Sequence, residues 1–374
     1  MSSNTNLKKY RIHAFLRTLS PMHITSPESA RIDIAEMKPV YVDSKEYPPL
    51  TLTQKINVLE AGGGSRPVPV IAANNIMGRL RRHAAKAVGD VLKAKGQKIS
   101  ITTYMALQCG AATGNPDGRD VLFSEYEESR ANVYLGLFGG GPRMVRRNVR
   151  LFNAVPFNDT TVGMFGRTQH PFMEEAIHKA PSDSRRLVQS WIMNRNDDLR
   201  ELVNVDQAAA TVRDFSKEIA ERQAAILASS AKDARGEGDP RHSTRSFTAL
   251  EFVVPGVYFP ICFELEVTDA QLGLFLVALD SFAKTERIGG HGRNGFGAFS
   301  LTDVCATDFD GNMLATDLFN KSALNAENAF VQPLLNAWAE AAQGIEGEVL
   351  DRLFALPEEK PAAKKAKAKA EEVA

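Results

Sequence analysis

His291, Arg293 and Asn294 alternate with Gly290, Gly292 and Gly295 in the stretch 288–299. Imidazole, guanidinium and amide groups on a backbone without Cβ atoms can approach a phosphate or a base closely. The letters satisfy G-x-G-x-x-G, the phosphate loop of dinucleotide-binding folds, which follows a strand and opens a helix. Here the order is reversed. Residues 269–285 have a helical pattern, and 295–304 alternate like a strand. The stretch is therefore a glycine-rich bend from a helix into a strand. It is either a tight connection or a place of close approach to a ligand.

Two further groups are cationic. Arg79, Arg82 and Lys86 share one face of a predicted helix, with His83 beside them and Arg81 turned to another side. Asn74 and Asn75 stand at its start, where a side-chain oxygen can cap the first-turn N–H groups. Helix-terminal donors flanked by cations suit a phosphate. The other group is Arg143, Arg146, Arg147 and Arg150. In an extended chain Arg146, Asn148 and Arg150 share a face at a repeat of roughly 7 Å, while Val145, Val149 and Leu151 take the other. That repeat matches the phosphates of an extended nucleic-acid strand, and binding is favoured over a plain surface strand. Candidate catalysts are sparse. His23 is a possible general base, and Asp33, Glu36 and Asp43 are possible metal ligands without tight spacing. His170 and His178 form no H-E-x-x-H, and no G-x-S-x-G or Walker pattern occurs.

The elements that must position these residues follow from periodicity. Residues 10–19 alternate as a strand, with Tyr10, Ile12, Ala14 and Leu16 opposite Arg11, His13, Phe15 and Arg17. Residues 25–68, rich in proline and glycine, read as an insertion or long loops. Leu80, Ala84, Ala87 and Val91 mark the buried stripe of the first helix. Residues 100–138 read as helical in two pieces broken at Gly114, Asn115 and Pro116, 143–157 as extended, and 183–203 and 207–230 as helical. Residues 251–267 read as a hairpin turning at Pro255 and Gly256, followed by the helix 269–285 and the last core strand. Strand, helix, hairpin, helix, strand is the split βαβ order of ferredoxin-like and RRM folds. The expected class is α+β: a ferredoxin-like/RRM core over 1–323 with large, partly helical insertions at about 25–68 and 100–245, and C-terminal helices over 324–356. A lysine- and alanine-rich tail over 357–374 is expected to be disordered.

Composition narrows the function. The 374 residues carry formal charge +0, so nucleic-acid binding requires a local patch. Cys109, Cys262 and Cys305 are far apart in sequence, which suits a reducing cytoplasm and argues against a zinc site or a disulfide framework. No signal peptide or membrane span is expected, and no cofactor is implied.

Three segments in this order resemble the RAMP superfamily of CRISPR effector complexes, nearest to the Cas-seven group of repeated backbone subunits. Residues 19–26, Leu19 through His23 to Ser26, resemble that group's L-x-P-L-H-I-G-S-G segment. Residues 71–81 resemble its I-P-G-S-S-L-R-G-A-L-R, with Asn74 and Asn75 in place of two serines, and Met77 in place of a basic residue that Arg79 can replace. Residues 252–259 and the glycine loop at 289–297 resemble its hairpin and glycine-rich signature. Departures such as Thr25, Ser26 and Pro27 in place of glycines are most similar to the type IV subunit.

The resemblance implies a non-catalytic subunit that grips guide RNA along its sugar–phosphate backbone and polymerises into a helical filament. The guide is left to pair with a target. Implied RNA-binding residues are His23, Asn74, Asn75, Arg79, Arg81, Arg82, Arg143, Arg146, Arg147, Arg150, Gly290, His291, Gly292, Arg293 and Asn294. A thumb that wedges between nucleotides is expected in 231–248, with Arg245 and Phe247 as candidates. Implied partners are guide RNA, further copies of the chain, a Cas-five-like capping subunit, other effector subunits, and a target expected to be DNA. The same resemblance leaves two alternatives: target-RNA cleavage using Asp33, or guide processing with His23 as the base.

Overall fold

The structure is a computed structural model that describes residues 7–41, 47–59, 63–110, 122–142, 145–176, 186–196, 205–233 and 245–355. The chain forms two compact units. Met1–Ile24, Gln54–Leu187 and Val253–Ala374 make the first, and Thr25–Thr53 with Val188–Phe252 make the second.

The first unit is organised by β1 (Lys8–Thr18), which pairs antiparallel with β10 (Tyr258–Val267) on one side and β11 (Phe299–Thr307) on the other. The strand β7 (Val149–Leu151) extends the sheet beyond β10, and β12 (Met313–Ala315) extends it beyond β11. Helix α1 (Ala73–Ala94) lies in sequence between β1 and β7, and α7 (Asp269–Thr285) between β10 and β11. This is the α+β, ferredoxin-like arrangement. Ile12 stands opposite Phe263 in register, and the Phe263 ring meets Phe275 of α7 edge-on at 5.1 Å. That face therefore belongs to the helices. A capping box between Thr268 and Gln271 fixes the start of α7. Helix α8 (Val331–Gln343) packs so closely on α7 that a Cβ at Gly273 would stand 2.1 Å from the Leu334 carbonyl oxygen. The remaining helices are α2 (Ile101–Cys109), α3 (Phe123–Ala131), α4 (Val133–Phe138) and α9 (Gly347–Phe354). Two small ribbons complete the unit: β5 (Lys55–Leu59) with β6 (Ser65–Pro69), and β13 (Phe319–Asn320) with β14 (Ala323–Leu324).

The opposite face of the sheet is also covered at one end. Phe15 packs with Val70, Val155, Phe157, Phe165 and Met173 and stacks on His170 at 4.2 Å. His170 Nδ1 accepts the Phe172 N–H at 3.2 Å, so Nε2 carries the proton that it donates to the Asp303 carbonyl at 2.9 Å. Asp303, at φ 53°, sits where the β1–β11 register shifts. Further along this face His13 lies in register between Cys262 and Cys305. The fold thus aligns two thiols that are far apart in sequence. Burial pushes both up to about 12. No group of three or more His, Cys, Asp or Glu suited to a metal occurs among the described residues. Among them, also, no helix is long and apolar enough to cross a membrane.

The second unit is a sheet of order β3-β2-β4-β9-β8, built from β2 (Thr25–Asp33), β3 (Lys38–Val40), β4 (Pro49–Thr53), β8 (Val188–Asn196) and β9 (Arg245–Val253). It also contains α5 (Val205–Thr211) and α6 (Phe215–Asp233). Ala30, Ile32, Leu50, Leu52 and Ala249 form its core.

Several expectations are corrected. The stretch 251–267 is not a hairpin. Strand β9 spends its backbone groups in the second sheet and β10 in the first. Thr18 clasps the bend between them, accepting the Gly256 N–H through its carbonyl at 2.8 Å and the Val257 N–H through Oγ1 at 2.9 Å. The arginine-bearing β7 supplies the missing ferredoxin strand. Residues 25–68 are largely strands, not loops. Pro39 lies in the edge strand β3, Pro49 at the first position of β4 and Pro67 in the two-stranded β6, where a missing N–H is tolerated, and Pro27 of the interior strand β2 falls where its register with β4 shifts. Residues 188–196 are a strand, because pairing in the second sheet overrides local helical preference. The buried stripe of α1 runs through Ile76, Leu80, Ala84, Val88 and Leu92, with Ala87 and Val91 only half-buried. The expected helix over 269–285 is observed as drawn. The break at 114–116 and the tail over 357–374 lie outside the described residues.

Burial, with His170 and Arg11 adding to it, lowers the His13 pKa to about 3. The unfolded chain therefore takes up this proton first as the pH falls below the ordinary value of 6.5. Stability is lost from there downward, by at most about 1.4 kcal/mol per pH unit for one group. Urea unfolding at pH 7, 6 and 5 should show this loss, and His13→Gln should flatten it. A folded variant with the same pH slope would exclude His13 as the source.

Candidate nucleic-acid interface

Helix α1 begins two or three residues earlier than its asparagines suggest. Ala72 is the N-cap residue in extended geometry, and its side chain gives no cap. Asn153, held by the Ile71–Ala154 bridge, instead accepts the Ala73 N–H at 2.9 Å. Asn74 and Asn75 are in the first turn. Asn74 is exposed, while Asn75 Oδ1 accepts from Arg79 Nε at 3.0 Å. Arg79 then spans to the glycine loop. Its Nη1 donates to Glu286 Oε1 at 2.7 Å and its Nη2 to the Gly289 carbonyl at 3.4 Å. His83 hydrogen-bonds Ser281 Oγ at 2.9 Å, and its Nε2 lies 3.4 Å from Glu286 Oε2. Burial lifts the Glu286 carboxyl, but the Arg287 N–H and the Arg79 guanidinium outweigh it and hold it below the usual range. Burial lowers His83, and Glu286 offsets this only in part. Arg79 is thus a fastener of the loop, not an exposed phosphate ligand. Glu286 and Asn153 escape sequence reasoning, because a lone acid after a helix and an Asn after a strand carry no pattern.

The loop is seated on the segment after β1. His23 is fully buried. Its carbonyl accepts the Gly290 N–H at 2.8 Å, and its ring meets His291 edge-on at 5.4 Å. Of the letter pattern only Gly295 lies in the left-handed region, at φ +83° with open space around it, and the tightest glycines stand outside the pattern. Gly289 has φ +88°, and a Cβ there would stand 2.1 Å from the His23 carbonyl oxygen. Gly297 has φ +79°, and its Cβ would stand 2.2 Å from the Ile288 carbonyl oxygen. Gly292 lies outside the left-handed region, and a Cβ would meet only the Arg287 side chain at 3.5 Å. Residues Gly292–Asn294 form a 3₁₀ turn that leaves Arg293 and Asn294 exposed. Three segments distant in sequence, carrying His23, Asn75 with Arg79, and 286–297, therefore meet at one surface. Exposed near it are Asn74 and Arg82 of α1 and Arg287, Arg293 and Asn294 of the loop.

The other sequence candidates lie elsewhere. Arg81 donates to the Phe138 and Gly139 carbonyls at 2.6 and 3.2 Å, which makes it a structural cap for α4. Arg146 and Arg150 are exposed and Val149 and Leu151 buried, as alternation predicts, while Arg147 and Asn148 are half-buried. Arg146, Arg147, Asn148 and Arg150 line a cleft of about 390 Å³. Asp33 Oδ1 accepts the N–H groups of Ala35 and Glu36 at 2.8 and 3.2 Å, so it caps a turn. Arg245 and Phe247 lie in β9. Their side chains fall outside the described residues, as do Arg143, Asp43, His178 and 234–244.

The family model of the RAMP superfamily matches residues 15–300. The chain belongs to the RAMP superfamily. Solved structures similar to this RAMP protein include a chain of a type IV-B CRISPR complex, at 14% identity and TM-score 0.45. That match covers 79% of this chain and 90% of the other. Another is a chain of the type III-B Cmr-beta complex bound to cognate target RNA, at 9% identity and TM-score 0.34, covering 81% of this chain and 62% of that one. No curated protein matches by sequence.

The loop geometry ranks its glycines. Gly297→Ala and Gly289→Ala should each cost several kcal/mol, because left-handed strain of about 1–3 kcal/mol adds to a backbone clash. Gly292→Ala should lie within about 0.5 kcal/mol of the parent. Chemical denaturation of the three variants checks this order, and equal losses would contradict it.

Proposed function

We propose that this RAMP protein is a repeated backbone subunit of a CRISPR ribonucleoprotein effector complex. It binds guide RNA along the sugar–phosphate backbone and joins further copies head to tail into a helical filament. The observation that carries this reading is the convergence of the three motif-bearing segments on one surface. That surface is locked from below by Arg79 and Glu286 and carries outward-facing Arg82, Arg293 and Asn294. Cationic and amide donors on a rigid frame suit phosphate and sugar contacts, which position a strand without reading its bases. The partners of this role are guide RNA, other copies, a Cas-five-like capping subunit and a paired target, expected to be DNA. The type IV affinity of the sequence departures belongs to the same reading.

The role is binding rather than cleavage. A general base must reach the proton it removes, and the enclosed His23 ring is badly placed for that. The Asp33 carboxylate is engaged by its own turn. Incubation with complementary RNA and magnesium or manganese should give no cuts. Spaced cleavage abolished by Asp33→Ala would overturn the non-catalytic assignment.

Arg82→Glu with Arg293→Glu should weaken binding of single-stranded RNA and make the log–log salt slope shallower by about 0.7 per lost phosphate contact. An unchanged slope in a folded variant would remove this surface from the guide path. Assembly is tested by mass photometry on guides of several lengths. An open, heterologous contact adds copies as the guide lengthens, whereas one fixed mass would contradict the filament.

A further inference from the structure

We infer that the cleft at the far end of the core sheet is a second binding site for single-stranded nucleic acid, separate from the loop surface. Lys9 of β1, Arg130 of α3, Arg146 and Arg147, and Arg150 of β7 all line it, with Tyr126 and Phe309 at its walls. None of these five cations makes an ion pair among the described residues. That is the opposite of Arg79 and Arg81, whose guanidinium groups are spent inside the fold.

The acids in the cleft do not cancel this charge. Glu264 is buried and already engaged, by Arg11 at 3.3 Å and Arg167 at 3.5 Å. The Arg11 guanidinium also lies 4.7 Å from the centre of the Phe309 ring. Only Glu266 remains as an exposed acid among the lining residues. The cleft is therefore a net cationic, aromatic-walled concavity on a chain whose formal charge is +0. Its volume of about 390 Å³ is at the scale of a small bound group, which admits a nucleotide unit of one strand and not a duplex.

Position makes the site separate. Strand β1 runs from its N-terminal end, where Lys9 lines the cleft, to Thr18, and the segment beyond Thr18 seats the glycine loop. At about 3.4 Å per residue the nine steps from Lys9 to Thr18 span roughly 30 Å. A strand segment held at the loop does not fill the cleft. The number of cations favours a polymer over a lone anion: five line the cleft, whereas one phosphodiester carries a single negative charge. Aromatic walls beside cations are the means by which single strands are held without sequence preference.

The test uses the full chain and fluorescein-labelled twelve-nucleotide uridine and deoxythymidine oligomers in anisotropy titrations over a salt series. Arg146→Glu with Arg150→Glu should weaken at least one oligomer tenfold or more and make its salt slope shallower by about 1.4, twice the single-contact value of about 0.7. Loss for uridine alone or deoxythymidine alone supports the site and tells which strand it holds. Should the double variant not fold by circular dichroism, Arg130→Gln and Arg150→Gln separately replace it, each expected to weaken binding severalfold. A folded cleft variant with unchanged affinity and slope for both oligomers overturns the site. Retained loss in the loop variant would then leave the guide assignment standing. Loss in the cleft variant with none in the loop variant would support the cleft and count against the loop surface. A changed particle mass with unchanged oligomer binding would make the cleft a protein contact and overturn this inference.

Discussion

The Arg79 guanidinium is the contact on which the motif-bearing surface depends. It joins α1 to the glycine loop through one carboxylate and one carbonyl, and Asn75 holds it from behind. Both charged partners are largely shielded, at 19% and 22% side-chain exposure. Loss of either would leave the other part-buried without compensation, which costs more than an exposed pair contributes. The loop cannot relax to meet a loss, because Gly289 and Gly297 already lie against the carbonyls of His23 and Ile288. Rigid support of this kind allows the outward groups Arg293 and Asn294 to be displayed at fixed positions without folding upon a ligand.

Interior and exterior cations divide the work. Arg11, Arg79 and Arg81 are consumed by a carboxylate or by main-chain carbonyls within the fold. Arg82, Arg146, Arg150 and Arg293 point outward. A formal balance of zero does not preclude local positive surfaces, since it sums over the whole chain. Screening at physiological salt acts over about 8 Å, so each such surface acts on its own neighbourhood rather than through a field of the whole molecule.

The core sheet is buried on both faces over part of its length. Phe263 and Phe275 close one side, and Phe15 with His170 closes the other. Near Lys9 and Arg150 the second face is open and becomes the cationic cleft. The same strand, β1, thus passes from a doubly covered core to the wall of an open cleft. The second unit is a sheet of its own with a separate small core around Ile32, Leu50 and Ala249.

The sequence by itself determined the elements that are stabilised locally. Alternation gave β1, the helical pattern over 269–285 gave α7, and the C-terminal helices expected over 324–356 are observed as α8 and α9. The family motifs marked three segments that the fold brings together, and alternation in 146–151 correctly turned Arg146 and Arg150 outward. Only the tertiary structure decided which strands pair. Residues 251–267 look like a hairpin because local alternation does not reveal that their two halves hydrogen-bond to different sheets. Residues 188–196 become a strand only when the second sheet is present. Tertiary contacts also decided the role of each site residue. Arg79 and Arg293 are the same side chain in sequence, but one meets Glu286 and Gly289 and the other meets solvent. His23 reads as a reactive imidazole and is instead the buried seat of the glycine loop. A residue's chemistry is fixed by its type, but its availability is fixed by partners far along the chain, and those become neighbours only when the sheet closes.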